Sequence, residues 1–87
     1  MNKKHKKTLD LIFKTPIQSN VRWNDIEALF LELGGDVSEG RGSRVRIELN
    51  GVKAVFHRPH PKPEIDKGAL TSVRRFLINA GIQNDEI

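Results

Sequence analysis

Apolar and polar residues alternate most cleanly between Arg44 and His57, and this stretch predicts the centre of the fold. Val45, Ile47 and Leu49 interleave with Arg44, Arg46 and Glu48 up to Asn50-Gly51, a two-residue turn signal for a β-hairpin. Beyond the turn, Val52, Ala54 and Phe56 interleave with Lys53, Val55 and His57. A tight turn sets Val45 opposite Phe56, Ile47 opposite Ala54 and Leu49 opposite Val52 on one face. The other face then carries Arg44 opposite His57, Arg46 opposite Val55 and Glu48 opposite Lys53, the last an opposite-charge pair. Slipping the register by one residue would mix the faces, so the pattern itself specifies the pairing.

Helical spacing governs most of the remainder. In residues 3–14, Thr8, Leu9, Ile12 and Phe13 lie along one side, and Pro16 stops the segment. Lys3, Lys4, Lys6 and Lys7 read as a solvated, frayed end, or alternatively as an attraction for a nucleic-acid backbone; His5 reads as exposed. Ile26, Leu29, Phe30 and Leu33 form a second stripe. Asn24 is its expected cap, with Glu27 three residues on, and Gly34-Gly35 its stop. Trp23, just before that cap, is expected as a core or staple residue in preference to a base-stacking one.

Asp36 to Glu39 reads as a short strand centred on Val37. The loop from Glu39 to Ser43 most simply connects strands, although its glycines and nearby arginines would also suit a phosphate. Pro59, Pro61 and Pro63 make residues 58–63 a stiff, extended, basic loop. Ala69, Leu70, Val73, Phe76, Leu77 and Ala80 form the last stripe, capped by Asp66 and ended by Gly81, with Gln83 to Ile87 as a tail. The predicted fold is therefore α+β: an extra N-terminal helix followed by an α-β-β-β-α two-layer sandwich with a three-stranded antiparallel sheet. One sheet face stays open, and it bears Arg44, Arg46 and His57.

Eighty-seven residues are expected to form one domain, residues 1–87, with 1–16 as a helical extension. No apolar run approaches a membrane span, and the N-terminal lysines precede no signal-peptide core, so a cytoplasmic setting without membrane contact is expected. The absence of cysteine excludes disulfides, a thiol nucleophile and Cys-bound metal. Fifteen Lys and Arg against eleven Asp and Glu give a net charge of +4. That balance suits a polyanion or an acidic protein partner. His57 and His60, even with Glu64 or Asp66, sit awkwardly on a proline-rich loop for converging on one ion, and no metal or cofactor is expected.

The helix I-E-A-L-F-L-E-L-G-G, the G-S pair opening the second strand, the R-P-H-P loop and the closing K-G-A-L-T-S-V-R-R-F-L-I-N-A-G-I together resemble the HicA family of bacterial toxins. The resemblance spans about residues 23–82. It implies a small fold like a double-stranded-RNA-binding domain, an mRNA-cleaving ribonuclease activity, and a HicB-type antitoxin that covers the active site. One departure matters. The family follows its Gly-Ser with one or two histidines, one of them catalytic, whereas Gly42-Ser43 is followed here by Arg44-Val45.

Two readings of that departure compete: an inactive relative, or a displaced imidazole. The hairpin register puts His57 directly opposite Arg44, with Cβ atoms about 4.5–5.5 Å apart, so either position projects into much the same space. On the second reading His57 is the favoured catalytic residue and His60, in the shared P-H-P, is its rival. Ser43, Arg44, Arg46, Arg58 and Lys67 are the expected RNA- and phosphate-binding residues, and Arg41, Arg44, Arg46 and Arg58 the expected contributors to antitoxin affinity. A non-catalytic RNA-binding module of the same fold is the alternative.

Overall fold

The computed structural model describes residues 1–83. Apart from Gln83, the tail anticipated from Gln83 to Ile87 lies outside the described residues. Six elements follow one another: α1 (Lys3–Phe13), α2 (Trp23–Glu32), β1 (Asp36–Glu39), β2 (Arg44–Leu49), β3 (Val52–His57) and α3 (Lys67–Asn79). The strands form one antiparallel sheet in the order β1-β2-β3.

The hairpin folds as its alternation requires. Asn50 and Gly51 both take positive φ, 51° and 82°, the conformation of a type I′ turn. Arg44 pairs with His57, Arg46 with Val55 and Glu48 with Lys53. Val45, Ile47 and Leu49 are buried while Arg44, Arg46 and Glu48 are exposed, so β2 has one wet and one dry face. The Asn50 side-chain amide also donates to the Ala80 carbonyl at 2.8 Å, tying the turn to the end of α3.

Helices α2 and α3 end as glycine spacing predicts. Gly34 (φ 90°) and Gly81 (φ 82°) take the left-handed conformation. At α2, the Gly35 N–H donates to the Phe30 carbonyl and the Gly34 N–H to Leu31; at α3, Ile82 donates to Leu77 and Gly81 to Ile78. These are Schellman motifs, which satisfy carbonyls the helix leaves open. Asp66 caps α3, its carboxylate accepting from the Ala69 N–H at 2.7 Å.

The start of α2 differs from expectation. Trp23 is already its first residue, Arg22 is the N-cap without a side-chain bond, and Asn24 is an exposed helical residue. The Pro63 carbonyl takes the Trp23 N–H at 3.0 Å, so the proline loop satisfies the first of the donors that the helix start leaves open. Trp23 is 3 % exposed and belongs to the core. Its ring lies 6.3 Å from Phe30 and 5.9 Å from Phe56, and Phe76 closes the cluster at 5.5 Å from Phe30. Aromatic edges and faces thus join α2, β3 and α3 around one centre.

Helix α1 is no frayed appendage. Asn2 caps it by accepting from the His5 N–H, and Thr8, Leu9 and Ile12 are buried against α2 and α3. His5 is not exposed as anticipated: its side chain retains 15 % exposure and faces Glu32 at 3.9 Å. Residues 5, 8, 9 and 12 share one side at helical spacing, which is why His5 follows the apolar stripe inward. Arg74 of α3 reaches across to the end of α1, donating from Nε to the Ile12 carbonyl at 2.8 Å and from Nη2 to Lys14 at 2.7 Å. No helix among the described residues is long and apolar enough to cross a membrane. Because Ile12 is fully buried in the shared core, Ile12→Ala is expected to destabilise the whole fold by about 2–5 kcal/mol, read as a lower urea midpoint. Loss of α1 helicity with the main transition unmoved would refute this.

Candidate functional site

The open sheet face is built by strand alternation. Arg44, Arg46 and His57 project from it, all exposed, and Arg44 and His57 are direct cross-strand partners. In a two-residue hairpin the turn-closing pair Leu49–Val52 exchanges hydrogen bonds, and every second pair does likewise. The Arg58 N–H donates to the Ser43 carbonyl at 2.9 Å, continuing that alternation past the strand ends. Arg44–His57 is therefore a non-hydrogen-bonded pair, the kind whose Cα atoms approach to about 4.5 Å and whose side chains lie closest. Arg41, Arg44 and Arg46 line one depression with Gly40 and Val55. That depression is rich in guanidinium groups and suits a phosphate chain or a carboxylate-bearing partner.

His57 also borders a cleft of about 480 Å³ between β3 and the start of α3, whose walls include Val55, Phe56, Ile65 and Ala69. Ser43 is exposed beside the basic end of the sheet. His60 is exposed on the proline loop and borders neither depression. Lys67 lines a separate depression with Ser19, Lys62 and Glu64. Of the anticipated binding residues, the register unites His57, Arg44 and Arg46, while His60 and Lys67 stand on other surfaces.

Arg58 departs from expectation. Being next to His57 in a strand continuation, it points to the opposite side of the sheet, towards the helices. There its Nη1 and Nη2 donate to Glu39 at 2.6 and 2.8 Å, and its Nε and Nη2 to Glu27 at 3.2 and 3.3 Å. Glu27 in turn accepts from the Trp23 indole at 2.8 Å. Most of the guanidinium's donors are thus committed to protein carboxylates, which joins β3, β1 and α2 under the histidine. Sequence reasoning missed Glu27 and Glu39 as partners; the one available signal was the alternation that sends residue 58 away from residue 57.

The fold is thus a small α+β sandwich whose uncovered sheet face carries exposed arginines and a histidine. A family model described as "HicA toxin of bacterial toxin-antitoxin" matches residues 23–82, more than half of the chain. The chain belongs to the HicA family and is a toxin of a toxin–antitoxin system, with the antitoxin partner such a system implies. Helix α1 lies outside the matched residues. No curated protein and no solved structure matches the chain.

The Arg58 hydrogen bonds hold the Glu39 carboxyl below its ordinary value of 4.5, and Glu39 holds the Arg58 guanidinium further above its own range. A carboxylate whose folded pKa is lowered stabilises the fold fully above its unfolded pKa, and the contribution fades as pH falls through the lowered value. The melting-temperature gap between wild type and Glu39→Gln is therefore expected to be steady at neutral pH and to narrow in acid, below about pH 4.5. A gap that widens on acidification contradicts the pairing.

Proposed function

We propose that this HicA toxin cleaves RNA on the open sheet face, with His57 as the imidazole that the family otherwise carries after its Gly-Ser pair. The observation that carries the reading is the direct, non-hydrogen-bonded pairing of His57 with Arg44, both exposed. His57 removes the proton from a ribose 2′-hydroxyl, and the resulting oxygen attacks the adjacent phosphorus. The bond to the 5′ oxygen breaks, leaving a 2′,3′-cyclic phosphate and a 5′-hydroxyl after that oxygen is protonated. A ring nitrogen of the exposed imidazole suits the role of base, and water at this open face returns the proton to the leaving 5′ oxygen. Arg44 and Arg46 offer forked donors to the phosphate oxygens as negative charge builds on the phosphorane. The reaction requires a 2′-hydroxyl, so its substrate is RNA, as for the mRNA interferases that make up the family in general. Arg58, committed to Glu27 and Glu39, serves here as the brace of the site instead of a phosphate ligand.

The second reading, an RNA-binding module without catalysis, is favoured by one observation: Arg44 stands where the family has its histidine. Antitoxin-free protein incubated with single-stranded RNA separates the two. His57→Ala is expected to lower the cleavage rate by about 100-fold or more, the usual range for a lost acid–base group. Arg46→Ala is expected to weaken RNA binding and to reduce the slope of log affinity against log salt by about 0.7, the value for one phosphate contact on a single strand. Cleavage by His57→Ala at the wild-type rate overturns the assignment of His57. Binding by wild type without any cleavage product establishes the non-catalytic module.

A further inference from the structure

The sheet has two edges, and they are finished differently. β1 is four residues long and places charged Asp36 and Glu39 at its ends, the second locked to Arg58. Short, charged edge strands resist pairing with other chains. β3 is six residues long, pairs without a bulge along its whole length, and exposes Val55 at 55 % in its middle. The hairpin's alternation turns the N–H and C=O groups of Val52, Ala54 and Phe56 towards β2, so those of Lys53, Val55 and His57 point outwards. No backbone hydrogen bond from the turns, loops and caps of the described residues reaches those three. Beside this edge runs the cleft between β3 and α3, walled on its inner side by Phe56, Ile65 and Ala69.

We propose that the outer edge of β3, from Lys53 to His57, receives an extended segment of the antitoxin as a fourth strand of the sheet. Alternating donors and acceptors at strand spacing are complementary to another polypeptide backbone and not to a nucleic acid. The added strand's inward side chains enter the apolar cleft, where Phe56, Ile65 and Ala69 select apolar residues. Its outward side chains lie beside Lys53 and His57, with Arg44 and Arg46 one strand further on, where acidic residues are favoured. The bound segment is thus an alternating apolar and acidic strand, and it covers His57. The proposal rests on the antitoxin partnership that family membership implies; only its consequence for cleavage rests on the nuclease reading.

Amide hydrogen exchange on the full toxin, free and bound to its antitoxin partner, tests the proposal. In the free toxin the amides of Lys53, Val55 and His57 are expected to exchange fast and those of Val52, Ala54 and Phe56 slowly. Binding is expected to slow the first three by about 100-fold or more, the scale of a newly formed backbone ladder. Val55→Pro removes an outward N–H without breaking the ladder to β2, and is expected to weaken antitoxin binding at least about tenfold with the circular dichroism spectrum retained. Three results overturn the proposal: unchanged exchange at Lys53, Val55 and His57 in the complex; concentration-dependent protection in the free toxin, which gives the edge to a second copy; or protection by single-stranded RNA instead of antitoxin. Each is read without a cleavage assay, so failure of the nuclease reading is a separate event.

Discussion

The two-residue period of the hairpin, anchored at Asn50-Gly51, is the constraint on which the rest of the molecule depends. Two consecutive residues with positive φ close the turn with a twist that matches the strands, and the count from that turn determines which side every later side chain takes. A slip of one residue would drive Arg44, Arg46 and Glu48 into a core that holds no partners for them, at a cost of several kcal/mol per unpaired charge. The Asn50 amide on the Ala80 carbonyl adds a second anchor, since it ties the turn to the end of α3. Register, core and open face are therefore one decision made at one dipeptide.

Much of this was legible because local and global preferences agree. The hairpin pairing, the glycine stops of α2 and α3, and the Asp66 cap each follow from a residue type whose chemistry admits few alternatives at that position. The misreadings arose where a tertiary partner replaced a local one. Asn24 carries the chemistry of a cap, yet the Pro63 carbonyl meets the Trp23 N–H and the helix starts two residues earlier, with Arg22 as its cap. His5 sits in a lysine run that reads as solvent-facing, yet helical spacing aligns it with Thr8, Leu9 and Ile12. No local pattern announces that Arg74 will close the carbonyl end of α1, because the two lie far apart in sequence.

Arg58 shows the same lesson at the candidate site. Composition alone groups it with the other arginines as a donor for phosphate. Geometry separates them: Arg44 and Arg46 share the wet face, and Arg58 lies behind the sheet with two carboxylates and, through Glu27, the indole of Trp23. Those carboxylates come from α2 and from the end of β1, so one side chain holds three elements at the point where the strand gives way to the proline loop. An ion pair of this kind, partly exposed, contributes little to overall stability on its own. Its value lies in fixing direction, because a bidentate fork tolerates only a narrow range of orientations. The residue that precedes it in the chain is His57.

A small sheet with helices on one side only must leave its other side uncovered, and what occupies that side is nearly free of packing demands. Core positions such as Val45 and Phe56 are tied to their own volumes by close packing, so substitutions there are felt throughout the fold. Arg44 and His57 face water, and exchanging their chemistry disturbs no neighbour in the interior. Directly opposed positions also aim into a shared volume, so an imidazole supplied by either strand meets the same space above the sheet. On the reading proposed above, that is how a family can surrender a histidine at one position and keep a site. The same exposure has a second consequence: a face and an edge left unsatisfied by the fold are what a partner strand can complete.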